Sequence, residues 1–283
     1  MTLDLIKKLR EETQSGILEC KKALQDANGN YEEALKILKN TFVAHDGNKR
    51  VASKGLCNVF VDQNQAILYE INAETDFVSK NENFIHLVQS LASPLLASNA
   101  TNPVDAKKIL IGEKTVDEMI SQTSSIIKEN AYLRRFYRVV KEDSYGFGTY
   151  IHNQGKVVTL VILNKDLPIL ARDLAMQVAA NSPSYLDTKY IDLDTMNYER
   201  FMYEKNHGEV NDELFHRHLE DISLTTQAWV KNPDLKVYEI LNEQGVEIID
   251  FFRFELGQGI DSKLSCRLDI PCDGSKITVT PIY

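Results

Sequence analysis

The chain has 283 residues, 43% of them hydrophobic, enough to bury a substantial core in two or three domains. No apolar run approaches the roughly 18 residues of a membrane span, and the start, Met-Thr-Leu-Asp-Leu-Ile-Lys-Lys, reads as an amphipathic helix without the apolar run of a signal peptide, so a cytoplasmic protein with no membrane partner is expected. The 32 Lys and Arg stand against 41 Asp and Glu, with ten basic and eight acidic residues in 1–55 and 22 against 33 afterwards; an acidic body of this kind repels phosphate backbones, which argues against direct nucleic-acid binding and for a protein partner.

Residues 5–39 read as three short helices. Leu5, Ile6 and Leu9 make one apolar face, residues 13–16 are a break, and Ile17, Leu18, Cys20, Ala23 and Leu24 resume helical spacing. Asn28-Gly29-Asn30 is a second break, after which Tyr31, Ala34, Leu35 and Leu38 mark a third helix. So small a bundle has no room for a catalytic cleft and suits docking. Residues 40–54, polar with an Asp46-Gly47 turn, read as a linker.

Strands are expected at 56–61 and 66–74, joined through Asp62-Gln63-Asn64-Gln65. In the second, Ile67, Tyr69, Ile71 and Ala73 alternate with mostly more polar neighbours, as in a half-buried strand. Thr75, Asp76, Phe77 and Val78 then form a short turn. Ser79 and Glu82 have capping-box spacing ahead of a helix carrying Phe84, Leu87, Val88 and Leu91. A Phe beside an Asp at such a turn has two readings, a wedge offered to a partner or a core residue beside a helix cap. Pro94 should kink or end the helix, residues 101–107 read as a loop, Val116, Met119, Ile120, Ile126 and Ile127 indicate another helix, and 132–141 a third strand.

A similar order follows. Residues 147–152, a turn at Asn153-Gln154-Gly155-Lys156 and residues 157–163 form a second hairpin, 168–181 a helix, and 246–256 a closing strand. The repeat argues for two related α+β subdomains, each a three-stranded antiparallel sheet with helices on one face. Within the second, residues 196–205 and 212–219 look helical around Asn206-His207-Gly208. They form either a protruding antiparallel hairpin of the kind that mediates assembly, including self-association, or a solvated excursion covering the sheet. Residues 265–283, with Pro271, Gly274 and Pro281, read as strand or loop.

Catalytic chemistry is poorly represented. No P-loop, nucleophile-elbow or zincin motif occurs, and Gly257-Gln258-Gly259 lacks the third glycine and the helix that phosphate binding needs. Cys20, Cys57, Cys266 and Cys272 form no C-x-x-C pair and are expected to be free thiols, mostly buried. His216 and His218, two apart on a helix, diverge and cannot share a metal, and His152 at a hairpin turn reads as a surface histidine unless a partner meets it. No catalytic residue, metal site or cofactor is therefore expected.

Two stretches resemble the signature motifs of bacterial translation elongation factor Ts, a family of nucleotide-exchange factors for elongation factor Tu. One is Leu9-Arg10-Glu11-Glu12-Thr13-Gln14-Ser15-Gly16-Ile17-Leu18-Glu19-Cys20-Lys21-Lys22-Ala23-Leu24; the other is residues 70–80, Glu-Ile-Asn-Ala-Glu-Thr-Asp-Phe-Val-Ser-Lys. Further similarity lies at Glu129-Asn130, Arg134-Arg135, Tyr150, His152, Met176-Gln177-Val178-Ala179-Ala180, Ser223-Leu224, Gln227 and Phe252-Arg253-Phe254-Glu255-Leu256-Gly257. Ala73, Glu74 and Gln177 stand where the family often has Cys, Gln and His, the hairpin is shorter than in some members, and the tail lacks the amphipathic helix found in others.

The resemblance implies an α+β fold: a ubiquitin-associated-like three-helix domain with linker at 1–53, core subdomains at 54–141 and 142–260, a helical hairpin at about 192–220, and a non-helical tail at 261–283. It implies exchange on elongation factor Tu with no bond made or broken by the factor. Thr75, Asp76, Phe77 and Val78 would approach the GTPase domain of the partner, Phe77 as a wedge and Asp76 perturbing the Mg²⁺ site. Arg10, Ile17, Leu18 and Lys21 would bind the same domain from the N-terminal bundle, and His152 would meet a further domain. The alternative is a scaffold or chaperone-like module whose bundle docks helices and whose acidic core binds a basic partner.

Overall fold

The computed structural model describes residues 5–6, 8–9, 17–43, 52–208 and 211–258, apart from the side chains of 17–19 and 39–43. Several expectations fall outside that description: Arg10, the side chains of Ile17 and Leu18, the break at 13–16, the Asp46-Gly47 turn, Cys266 and Cys272, and the tail at 261–283. The described residues among 1–56 and 69–136 make one unit, and those among 57–68 and 137–283 make another.

Near the N-terminus, α1 (Ile17–Asp26) and α2 (Tyr31–Val43) are joined at Asn28 and Gly29, whose φ values of 51° and 85° lie in the left-handed region. Asn30 then caps α2, its Oδ1 accepting from the N–H groups of Glu32 and Glu33 at 3.0 and 3.3 Å. Helical residues Leu5, Ile6 and Leu9 pack with Cys20, Ala23, Leu24, Ala27, Ala34 and Leu38 into one apolar cluster. The helix runs to Val43, four residues into the stretch expected to be linker.

The next element is a three-stranded sheet of order β1-β2-β5, from β1 (Lys54–Asp62), β2 (Gln65–Ala73) and β5 (Ala131–Val140). Gln63 takes φ 51° in the hairpin turn. Lys141 N–H donates to Asn64 O at 2.9 Å, and Glu129 meets Thr75 at the other end of β2, so β5 runs antiparallel to it. The half-buried reading of β2 needs correction. Leu68, Glu70 and Asn72 are as buried as Ile67, Tyr69, Ile71 and Ala73, because the polar positions found partners distant in sequence: Glu70 takes Arg134 and Arg135, and Asn72 Nδ2 donates to Ala52 O at 2.9 Å.

After β2 the chain makes a 3₁₀ turn (Asp76–Lys80) and enters α3 (Glu82–Ser90). The cap of α3 is Asn81, whose Oδ1 accepts from Asn83 and Phe84 N–H at 3.0 and 3.3 Å. Ser79, the expected cap, is instead inside the 3₁₀ turn, donating to Asp76 O at 2.7 Å. Phe84, Leu87, Val88 and Leu91 are buried as their spacing predicted, and the Tyr69 hydroxyl donates to Val88 O. The interruption expected from Pro94 falls one turn before it: α3 stops at Ser90, whose carbonyl would have been the partner of a helical N–H at 94, the chain bends at Leu91, and Pro94 sits in the first turn of α4 (Ala92–Ala97).

The loop expected at 101–107 is also a helix, α5 (Pro103–Lys107), with Pro103 at its first position and Asn102 Oδ1 accepting from Asp105 N–H at 2.9 Å. A small hairpin, β3 (Leu110–Ile111) with β4 (Lys114–Thr115), leads into α6 (Val116–Ile127), which packs beside α3. Thr115 and Glu118 form its capping box.

The second sheet, of order β10-β7-β6, comprises β6 (Gly146–His152), β7 (Val157–Leu163) and β10 (Ile248–Glu255), antiparallel throughout. As in the first, the second strand of the hairpin is central and the closing strand lies at its other side. One face packs on α7 (Pro168–Asn181): Val161, Leu163 and Phe251 join Ala171, Leu174, Ala175 and Val178. The approach is close, since a Cβ on Gly148 would come within 2.0 Å of the Ala171 carbonyl carbon. The other face was not anticipated: Val158, Leu160, Ile162, Phe252 and Phe254 meet Cys57, Val59, Ala66, Leu68, Tyr137 and Val139. Tyr137 and Phe254 stack edge to face there, with centroids 5.1 Å apart.

Also unanticipated are a hairpin of β8 (Ala228–Trp229) with β9 (Asn232–Lys236), and α10 (Val237–Gln244), which supply Trp229, Val237 and Leu241 to the α7 side of the core. Gln177 stitches α7 to that hairpin: Nε2 donates to Ala228 O at 3.0 Å and Oε1 accepts from Val230 N–H at 2.7 Å. The two predicted helices of the insertion are α8 (Leu193–His207) and α9 (Asp212–Asp221). They touch side chain to side chain, with Arg200 bonded to Asp212 at 2.7 Å and Tyr203 stacked on His218 at 4.2 Å. Ile191, Phe215 and Leu219 give the pair its own apolar cluster.

Candidate partner-binding site

Thr75, Asp76, Phe77 and Val78 lie consecutively at the start of the 3₁₀ turn, and each faces differently. Val78 is buried to 2% exposure and anchors the turn, whereas the Phe77 ring is 77% exposed. Of the two readings of this Phe, the core one therefore belongs to its neighbour Val78. Asp76 is exposed beside it, in the first turn. An exposed aromatic ring on a turn with a buried base is poised for a contact outside the chain, since burying a Phe removes about 150 to 250 Å² from water.

The base is rigid for identifiable reasons. Glu70, fully buried in β2, accepts from Arg135 Nε at 2.6 Å and from Arg134 Nη1 at 3.0 and 3.2 Å. Thr75 is half-buried, and both of its donors go to one carboxylate: its N–H to Glu129 Oε2 at 2.9 Å and its hydroxyl to Glu129 Oε1 at 2.5 Å. Next to it, Asn130 Nδ2 donates to Glu74 Oε1 at 2.5 Å. Sequence reading attached no role to Glu129. Its partner is 54 residues away, and no local pattern couples the two.

The remaining candidates are separate from this turn in the chain. Lys21 is exposed on α1. His152 is exposed at the end of β6, in the other unit, its ring stacked on Tyr150 with centroids 6.1 Å apart. His216 is exposed beside Glu220 at 3.8 Å, whereas His218 is packed on Tyr203 at 4.2 Å, so the two point apart as their spacing predicted. Cys20 and Cys57 are buried thiols. Among the described residues, no group of three or more His, Cys, Asp or Glu could hold a metal ion, and no helix is long and apolar enough to cross a membrane.

Comparison with known proteins gives a consistent result. The family described as Elongation factor TS matches residues 74–258, a stretch that begins one residue before the exposed turn. The Elongation factor Ts of Aster yellows witches'-broom phytoplasma (strain AYWB) is 35% identical over 271 residues, covering 91% of this chain and 99% of the relative. That of Phytoplasma mali (strain AT) is 33% identical over 276 residues, with the same coverage of 91% and 99%.

Proposed function

Because this chain belongs to the elongation factor Ts family, we propose that its exposed turn delivers the exchange of GDP on elongation factor Tu in the cytoplasm. Phe77 is the wedge that enters the GTPase domain, and Asp76 disturbs the coordination of the Mg²⁺ that the partner holds beside the nucleotide. Thr75 and Val78 fix the turn at its edges. The observation that carries this reading is the 77% exposure of Phe77 directly beside a 2% exposed Val78. A side chain so placed adds nothing to the core, while the residue behind it keeps the turn from yielding when pushed.

The physical logic is linkage. A factor that binds nucleotide-free elongation factor Tu more tightly than the GDP-bound form weakens GDP binding by the same free energy. No bond is made or broken by the factor, which in this reading is a binding protein rather than an enzyme and needs no cofactor of its own. Loss of the Mg²⁺ removes the charge that offsets the phosphates, so a small displacement is enough to speed release.

The N-terminal helices, in this reading a ubiquitin-associated-like domain, dock on the same GTPase domain through Arg10, Ile17, Leu18 and Lys21. His152, on the second of two related subdomains, meets a further domain. Support for the last comes from its exposure at a strand end. The test is the rate of labelled GDP release from elongation factor Tu with and without this protein; release that does not accelerate at saturating factor contradicts the proposal.

A further inference from the structure

The turn that presents Phe77 is held from outside itself. Thr75 occupies its N-cap with extended backbone, φ −125° and ψ 160°, but makes no side-chain bond to the turn it caps. A capping Thr ordinarily accepts from an N–H two or three residues on. In this turn its hydroxyl and its own N–H both donate to Glu129, at 2.5 and 2.9 Å. The direction in which the turn points is thus set by the segment between α6 and β5.

That segment is itself fastened. Lys128 ends α6 in the left-handed conformation, φ 59° and ψ 33°. Glu129 N–H donates to Ser124 O at 3.3 Å, and Ala131 N–H donates to Ser124 Oγ at 3.0 Å. Asn130 adds its bond to Glu74, so two consecutive residues of one segment grip two consecutive residues of the other. Hydrogen bonds to an ionised carboxylate are short and roughly twice as strong as neutral ones, and two from a single residue fix an orientation as well as a distance.

We propose that Glu129 is a positioning residue for nucleotide exchange: without touching the partner, its carboxylate aims the turn bearing Asp76 and Phe77. The proposal rests on the reading of that turn as the delivering element. A wedge works only if its base does not recoil, and a bidentate clamp on the residue before it supplies the resistance. Glutamine at 129 keeps the shape: its oxygen accepts from the Thr75 N–H and its amide N–H donates to the Thr75 hydroxyl, which accepts as well as donates, so both contacts persist without the strength a carboxylate charge adds.

Two readouts on the full-length protein separate this role from a general effect on folding. In the free protein, Glu129→Ala is expected to speed amide hydrogen exchange at Thr75 and Asn81 while leaving the unfolding midpoint near the parent's. In the exchange assay its maximal GDP-release rate at saturating factor falls about tenfold, whereas the factor concentration giving half-maximal rate shifts by no more than about threefold. Glu129→Gln recovers part of both losses, and it carries the same comparison if the alanine variant does not fold. The proposal is overturned by unchanged amide exchange at Thr75 and Asn81 in the alanine variant, or by a loosened turn with an undiminished maximal rate. Failure of the parent itself to accelerate GDP release defeats the earlier functional reading instead, and with it the exchange role of Glu129, while the amide measurement still reports whether the clamp exists.

Discussion

Replacing Glu70 with alanine should destabilise the unit beneath the exposed turn more than any change on its surface. The Glu70 carboxylate has no solvent exposure, and the side chains of Arg135 and Arg134 are 7% and 17% exposed. Three contacts at 2.6, 3.0 and 3.2 Å join them. Removing one member of a buried ion pair costs about 3 to 5 kcal/mol, because the charge left behind loses its partner without regaining water. Arg135 is the source of most of that cost, since Arg134 is open enough to turn partly into solvent. Set against a typical total stability of about 5 to 15 kcal/mol, the loss should lower the unfolding midpoint by roughly 10 °C. Thermal unfolding followed by circular dichroism measures it, and the difference should persist from about 0.05 to about 0.5 M salt, as a buried pair is weakly screened. Glu70→Met combined with Arg135→Met should cost less than Glu70→Ala alone. A loss under about 1 kcal/mol for Glu70→Ala, or one that vanishes with salt, would refute the reasoning.

Asp250 gives a pH dependence. It is 1% exposed, accepts from Phe251 N–H at 2.7 Å, and its Oδ2 has no hydrogen-bond partner among the described residues. Burial pushes its carboxyl up from 3.8 to about 7, partly opposed by the Phe251 bond. The folded chain therefore keeps a proton that the unfolded chain has released, and stability falls as pH rises through that window, by roughly 4 kcal/mol once above it. Asp250→Asn should thus gain on the parent at about pH 8, with the gain shrinking by more than half at about pH 5; a difference independent of pH would contradict this. Gln177→Leu should lower the unfolding free energy by about 1 to 3 kcal/mol, read as a lower urea midpoint at unchanged slope, since it leaves Val230 N–H and Ala228 O without their side-chain partner; a change under about 0.5 kcal/mol would count against the stitching role.

What the sequence made legible follows from the range of the interactions involved. Both hairpins, the helices at Val116–Ile127 and Pro168–Asn181, and the paired helices of the insertion were readable, because alternation, helical spacing and turn residues act within a few positions. The errors fall where the deciding partner is remote or the local signals compete. Polar Glu70 and Asn72 suggested a half-exposed strand, yet their partners Arg135 and Ala52 lie 65 and 20 residues away. Ser79 and Asn81 both suit a cap, and the 3₁₀ turn took the first and left the second to α3. Pro103 suggested a loop because Pro opens short helices as readily as it breaks long ones. The motif identified the turn at residues 75–78, but only the fold distinguishes exposed Phe77 from buried Val78 and shows Glu129 behind Thr75.

The central claim is that an exposed Phe on a braced turn drives nucleotide release, and comparing Phe77→Ala with the parent in GDP release from elongation factor Tu tests it most directly. At 77% exposure, the ring contributes little to folding, so the variant should keep its stability within about 0.5 kcal/mol while its acceleration of GDP release falls at least tenfold. A well-folded Phe77→Ala that accelerates release as the parent does would contradict the account, as would a stability loss of about 3 to 5 kcal/mol, the signature of a core phenylalanine.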